Sequence, residues 1–257
     1  MKRVFFATAA ASVALAASAA MAQPAAPADD WAGPYVGLNA GGAWGQARMG
    51  NTIDPTTNTY FAGSSITQID ASGHRTLNPS GFDGGAQAGV NWQAGPWVYG
   101  FEADIDALSL NKSSAVTVGY TCCVGTTYTL NQGAKTDWMF TLRPRIGWAD
   151  SGWLVYATGG LAVTDVHMTH VFTDTFDTAF ENGSTSSTRA GWTLGAGLER
   201  KLNANWSLRG EYLYADFGSI SSTATENAPG GAGGTSTFHD TQRLNTNIVR
   251  IGVNRRF

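Results

Sequence analysis

Eight segments with strand-like period-two alternation are joined by seven connections whose lengths alternate strictly between long and short, and few folds tolerate that rhythm. The segments cover about 34–47, 80–92, 97–112, 135–149, 153–168, 189–202, 206–219 and 241–257. Helix-period patterns of any length are absent. Three connections are short, namely Gln93-Ala94-Gly95-Pro96, Asp150-Ser151-Gly152 and Asn203-Ala204-Asn205. Four are long, covering about 48–79, 114–134, 169–188 and 220–240. An even-stranded antiparallel barrel sorts its connections this way when all tight turns lie at one rim and all long loops at the other. The expectation is therefore an all-β chain folded as an eight-stranded antiparallel up-and-down transmembrane β-barrel. It has four long outer loops and three short periplasmic turns, with both chain ends on the short-turn side.

Alternation alone would equally suit a soluble barrel such as a lipocalin, with the same strands turned inside out. The polar faces separate the two. A soluble surface mixes both signs of charge over roughly 25–35% of its residues. Here the polar faces read Gly85, Gln87, Gly89 and Asn91, or Thr193, Gly195 and Gly197. The opposite faces are greasy: Trp97, Tyr99, Phe101, Ala103 and Ile105 in one strand, and Trp138, Phe140, Leu142, Pro144, Ile146 and Trp148 in the next. Tryptophans mark both edges of this face. Trp92, Trp97, Trp148, Trp153 and Trp206 flank the short turns, whereas Trp44, Trp138 and Trp192 stand where long loops are expected to begin. An indole suits a membrane interface, being apolar with one polar edge. Trp138 and Trp148 share parity ten positions apart, roughly 33 Å along a strand at about 3.3 Å per residue. Tilted by about 40°, that projects to roughly 25 Å, the height of an outer-membrane apolar band.

Export is written at the start of the chain. Lys2 and Arg3 precede an Ala-rich apolar stretch, and Ala20-Met21-Ala22 supplies a cleavage pattern. Residues 1–22 are thus expected to be a signal peptide, 23–30 a flexible leader and 31–257 the barrel domain. Losing Lys2 and Arg3 moves the net charge from -3 to -5, and no Lys/Arg-rich block remains, so a nucleic-acid partner is not expected. Charged residues make up only 14% of the chain, against about 25% in ordinary soluble domains. Beyond the signal no apolar run is long enough for a helical span.

The few strand charges fall on the inward faces. Glu102, Asp104, Glu199 and Glu211 face Arg143, Arg145, Arg209 and Arg250, four acids against four arginines. An unpaired buried charge is very costly, and the planar guanidinium fork matches a carboxylate. An eight-stranded lumen is only wide enough for side chains to fill. A plugged, ion-paired interior follows as the expectation. Pro144 lacks an N–H and should mark a bulge or a lost ladder bond.

The chain ends VRIGVNRRF, Val249 to Phe257. This resembles the C-terminal signal read by the outer-membrane insertion machinery. Arg250, Gly252 and Phe257 match its pattern, whereas Arg255 stands where an aromatic is usual. With WAGPYVGLNAGGAWG (Trp31 to Gly45) and GFDGGAQAGVNWQAGPWVYGFEAD (Gly81 to Asp104), the ending is similar to small alphaproteobacterial outer-membrane proteins of the OmpA-like eight-stranded barrel, or porin-family, superfamily. The resemblance implies an outer-membrane location and partnership with outer-membrane lipid and, during biogenesis, the insertion machinery. Because the sequence ends at the barrel, the periplasmic domain that some relatives append is expected to be absent.

Chemistry is sparse. His74, His167, His170 and His239 lie in or beside the predicted outer loops, with no nucleophile motif around them, so no catalytic residues and no enzyme activity are expected. Lipid-facing strands avoid histidine and loops tolerate it, which is reason enough for this distribution. The family resemblance adds haem capture by these loops as an alternative, since some members are thought to bind haemin; otherwise no cofactor and no metal are expected. His167 and His170 have opposite parity and should point to different faces. The acidic run Asp174, Asp177 and Glu181 offers carboxylates for a divalent cation but matches no known loop motif. Cys122 and Cys123 are adjacent, and the sequence leaves open a vicinal disulfide, two free thiols or reaction with another molecule. Three roles remain in play: a structural envelope protein presenting its loops, a porin-like channel for small solutes, and a surface receptor for haem or a protein partner.

Overall fold

In the computed structural model, which describes residues 30–228 and 233–257, strands dominate and one short helix joins them. The signal peptide and all of the leader except Asp30 lie outside the described residues. The strands are β1 (Gly33–Ile53), β2 (Arg75–Leu77), β3 (Ser80–Ala94), β4 (Trp97–Gly119), β5 (Thr127–Asp150), β6 (Trp153–Asp174), β7 (Phe180–Asn182), β8 (Thr185–Lys201), β9 (Trp206–Asn227) and β10 (Thr235–Arg256). Helix α1 spans Gly63–Gly73. Among the described residues, eight long strands pair antiparallel in the order β1-β3-β4-β5-β6-β8-β9-β10, and β10 pairs back with β1. The closing seam runs from Tyr35↔Arg256 to Ile53↔Phe238, so no edge of the ring is left open.

The short turns are where the sequence puts them. Ser151 and Gly152 both take positive φ, 49° and 77°, the backbone hand that a two-residue hairpin needs. At Pro144 the β5–β6 ladder skips Arg143 and Pro144 without changing register, from Leu142↔Leu161 to Arg145↔Thr158. A lost pairing is what a missing N–H causes, and the Thr158 hydroxyl donates to the Pro144 carbonyl at 2.9 Å instead.

The expected long loops need correction. In 114–134, 169–188 and 220–240 most of the described residues are strand, because β4, β5, β6, β8, β9 and β10 continue past the level of the outer tryptophans, and β1 does the same at the start of 48–79. β5 has 24 residues, roughly 79 Å at about 3.3 Å each, of which Trp138 to Trp148 accounts for less than half. Trp44, Trp138 and Trp192 therefore sit in mid-strand, not at strand ends. The extensions escape a search for apolar alternation because their outer faces are Thr, Ser, Asn and charged residues. Helix α1 is likewise missed by periodicity. Its sequence GSSITQIDASG carries no apolar stripe, and a short isolated helix is marginal in water. It is held instead by fully buried Ile69 and by bonds to the barrel wall: Gln68 Nε2 to Gly119 O (2.8 Å), Gln132 Nε2 to Gly73 O (2.8 Å), and Ile53 N to Asp70 Oδ1 (3.0 Å).

Three register shifts lie at the level of the outer tryptophans: Ala107/Leu110 in β4–β5, Lys135/Met139 in β5–β6 and Arg243/Asn245 in β9–β10. A bulge strips partners from backbone amides. Aspartates take them up. Asp165 Oδ1 accepts from Asp137 N (3.0 Å) and Trp138 N (3.3 Å), and Asp216 Oδ1 accepts from Gly218 N (2.8 Å). This collar divides the barrel into two segments with opposite sidedness. On the turn side of it, Leu38, Phe101, Ile105, Leu142, Leu194 and Ile251 are exposed on the outer wall. On the loop side the apolar residues turn inward, with Phe61, Tyr128, Leu130, Phe172 and Phe238 packed in the lumen.

Candidate functional site

The lumen of the turn-side segment is a cross-linked layer of charge. Glu102, Asp104, Glu199 and Glu211 and all four arginines, Arg143, Arg145, Arg209 and Arg250, are buried. Arg143 Nη2 stands 2.7 Å from both Glu102 Oε1 and Asp104 Oδ2, and its Nη1 is 3.3 Å from Glu211 Oε1. Arg209 Nη1 reaches Glu102 Oε2 at 2.6 Å, and Arg250 Nη2 reaches Glu211 Oε2 at 2.7 Å. Arg145 lies 3.4 Å from Glu199 and is sandwiched between the rings of Tyr35 (5.0 Å) and Tyr156 (4.8 Å). Those tyrosines donate to Glu102 (2.7 Å) and Glu211 (2.8 Å). Room for the rings comes from their register partners on the neighbouring strands, both glycines. A Cβ on Gly89 would fall 2.4 Å from the Tyr35 ring, and one on Gly197 would fall 2.3 Å from the Tyr156 ring.

The four-against-four balance needs correction. Asp106 joins the layer, 2.8 Å from Arg250 Nη1, and buried Asp83 lies 3.9 Å from the same nitrogen. Six carboxylates thus meet four guanidinium groups. Asp106 shares parity with Asp104, a signal the sequence carries. Asp83 lies at the start of β3 among glycines, where alternation is weakest.

Below this layer Trp31 closes the periplasmic end, with an apolar cluster of Val98, Ala149, Leu154 and Tyr156. Its fully buried ring lies 5.1 Å from Lys201 Nζ and 5.0 Å from the Arg256 guanidinium carbon. Asp30, the described end of the leader, gives its carbonyl to Lys201 (2.6 Å) and to Arg256. The other tryptophans singled out by sequence face outward. Trp44, Trp92, Trp97, Trp148, Trp153, Trp192 and Trp206 are exposed and Trp138 is half-buried. At the C-terminus Arg250 points into the ion layer and Gly252 packs inward against the Leu38 carbonyl. Phe257 is exposed at the rim, its amide donating to Pro34 O at 3.1 Å. Arg255, in place of the usual aromatic, lays its guanidinium over Trp206 (5.9 Å) and Phe257 (5.2 Å).

The loop-side segment is a walled cup around a different interior. Phe172 packs against Phe61, Tyr128 and Phe238 at ring separations of 5.5, 6.0 and 5.3 Å, and α1 closes the mouth over them. Cys122 and Cys123 form a vicinal disulfide at the tip, resolving the alternatives the sequence left open, and line an outer cleft with Tyr60, Phe61, Tyr120, Asp174 and Phe176. Glu226 is buried with neither carboxylate oxygen hydrogen-bonded. Burial first, and then the nearby Asp174 and Asp177, push its acid up to about 7.

The four histidines do not form one site, which corrects the candidate loop site. His74 is exposed at the C-terminal end of α1, and His239 is exposed on the outer wall beside Thr223 (3.1 Å). His167 faces out, 2.8 Å from Asp165. His170 faces in, as its parity requires, and meets Glu181 (3.2 Å) and Asp240 (3.1 Å). Burial alone would lower the His170 pKa, but its hydrogen bonds to Asp240 and Glu181 outweigh that and raise it to about 9. The acidic run divides as well. Asp174 takes the Tyr60 and Tyr120 hydroxyls (2.7 and 3.1 Å) and its Oδ1 accepts from Asp177 N, while Glu181 goes to His170.

Known outer-membrane proteins are similar to this chain in sequence along nearly its whole length. The chain is 34% identical over 257 residues to the 31 kDa outer-membrane immunogenic protein of Brucella melitensis, covering 98% of this chain and 95% of the relative. It is 30% identical over 194 residues to the 22 kDa outer membrane protein of Rhizobium leguminosarum bv. viciae, covering 76% and 68%. Among solved structures, Neisserial surface protein A aligns at a TM-score of 0.35 and 12% identity, covering 87% of this chain and 97% of that one. The model of the outer membrane protein beta-barrel domain matches residues 12–257, so the chain belongs to that family and resides in the outer membrane of a Gram-negative cell.

Proposed function

We propose that this is a structural outer-membrane protein whose sealed barrel raises a folded cup above the lipid and presents its tips to the exterior. The observation that carries this reading is the ion layer. At lipid level, arginines from β5, β9 and β10 are tied to carboxylates from β4, β8 and β9, so the cross-section is spanned by bonded side chains. Opening a path would strip partners from buried charges, at a cost of several kcal/mol each, on the order of 3–5. That the Brucella relatives are immunogenic outer-membrane proteins supports surface presentation. The reading involves no catalysis, and it takes β10 as the segment that the insertion machinery engages.

The channel alternative is decided by planar bilayers. The pure refolded protein is expected to show no stable conductance; large, reproducible openings would overturn the sealed-barrel reading. Haem capture by the histidines is not favoured, because His167 and His239 lie on the outer wall and His170 inside it. Haemin titration with His74, His170 and His239 replaced in turn is expected to leave the absorbance spectrum unchanged.

A further inference from the structure

Midway up the cup, four strands bring polar side chains to one buried point. Asn51 comes from β1, His170 from β6, Glu181 from β7 and Asp240 from β10. Their exposures are 0%, 1%, 1% and 0%. His170 Nδ1 lies 3.2 Å from Glu181 Oε2 and 3.1 Å from Asp240 Oδ1, and Asn51 Nδ2 donates to Asp240 Oδ1 at 2.9 Å. Yet Glu181 Oε1, Asp240 Oδ2 and Asn51 Oδ1 are buried without any hydrogen-bond partner. The two carboxylate oxygens converge, since a Cβ placed on Gly183 would stand 2.2 Å from Asp240 Oδ2 and 2.8 Å from Glu181 Oε1.

Charge is out of balance at this point. Among the described residues, the ion pairs of Glu181 and Asp240 are with His170 alone, so one imidazolium faces two buried carboxylates. A buried carboxylate lacking a full counter-charge is expensive. A divalent cation held by neutral imidazole and both carboxylates would balance exactly two negative charges with two positive. The spacing from His170 Nδ1 to one oxygen of each carboxylate also fits, and the three candidate ligand atoms lie within 4.8 Å of one another. Around an ion with bonds near 2.1 Å, neighbouring ligand atoms stand roughly 3.0–3.4 Å apart, whether octahedral or tetrahedral. We infer that His170, Glu181 and Asp240 form a binding site for a transition-metal dication of the zinc class, with the Asn51 amide donating to the Asp240 ligand from outside. An imidazole nitrogen among oxygens selects such an ion over magnesium or calcium. The ion would tie β6, β7 and β10 together inside the cup. Glu181 rides on a three-residue strand, so one short segment need move to admit it.

The experiment uses the full chain refolded in detergent and stripped of metal. Equilibrium dialysis against Zn²⁺ alone should give one ion per chain, at least tenfold tighter than Mg²⁺ or Ca²⁺. Co²⁺ in its place should give visible d–d absorption of a nitrogen-and-oxygen site. Asp240→Asn and Glu181→Gln should each weaken Zn²⁺ at least tenfold, while His167→Ala, in the exposed Asp137–Asp165–His167 group, should change nothing. Heat-modifiable gel migration checks that each variant is folded. Absence of Zn²⁺ and Co²⁺ binding by the unaltered protein would overturn the proposal without recourse to any variant. So would binding that survives both carboxylate substitutions or is lost in His167→Ala.

Discussion

Below the collar of bulges the barrel is greasy outside and ionic inside; above it the same strands are polar outside and aromatic inside. Ile251 and Thr241 make the contrast on one strand, both exposed on the outer wall of β10, one facing lipid and the other water. Phe172 and Arg143 make it in the lumen, both fully buried. A single antiparallel ladder thus serves two solvents, and sidedness is set by which solvent surrounds each level. Backbone pairing is indifferent to this, because every strand closes its hydrogen bonds on its neighbours in either medium. What changes is the source of cohesion. In lipid the apolar outer wall gains little by association, so the interior must be joined by directional bonds; in water the cup can be held by apolar burial.

The largest expected effect lies in the lower segment. Arg143→Ala would leave Glu102, Asp104 and Glu211 short of a shared cation, at a cost of about 3–5 kcal/mol or more. Urea titration followed by heat-modifiable migration should show a barrel that unfolds early or fails to form. If its midpoint stayed put, the ion layer would not be what binds that segment. Phe172→Ala should cost about 3–5 kcal/mol in the upper segment alone. Limited proteolysis should then cut within the cup while the embedded strands stay protected; loss of the whole barrel at once would show the two segments to be one cooperative unit. Ile251→Arg, near mid-height on the lipid face, should destabilise by about 2–4 kcal/mol, whereas Thr241→Arg should stay within about 0.5 kcal/mol. Equal effects from the two would place the membrane boundary elsewhere.

The smallest effect is a pH dependence in the cup. The Glu226 acid is raised from its ordinary value to about 7, so the folded state favours its neutral form. Its stabilising contribution is fully present below the unfolded carboxyl pKa of about 4.3 and is lost as pH rises through about 7. Protease resistance of the cup should therefore fall between pH 5 and pH 8. Glu226→Gln should flatten that fall and leave the variant the more resistant at pH 8.

The lower segment was readable because its two faces differ in every strand: Trp138 to Trp148 spells the apolar band, and Glu102, Asp104, Arg143 and Arg145 spell the lining. The upper segment was not, because Thr, Ser and Asn on a water-facing wall look like loop, and Thr117, Thr129 and Thr223 give alternation no apolar phase. The cluster at His170 drew on two kinds of information. Parity of His167 and His170 told which imidazole turns inward. That Glu181 and Asp240, 59 positions apart by number, meet it could come only from the closure of β10 on β1 and the docking of β7.

Trp31 has one more consequence. Its indole is enclosed by residues from β4, β5, β6, β8 and β10, so that pocket exists only once the ring has joined its last strand to its first. The described tryptophans elsewhere look outward, within reach of brominated acyl chains that quench indole emission. During insertion, the unquenched fraction of the fluorescence would therefore be a clock for the moment of closure, read from a single natural side chain.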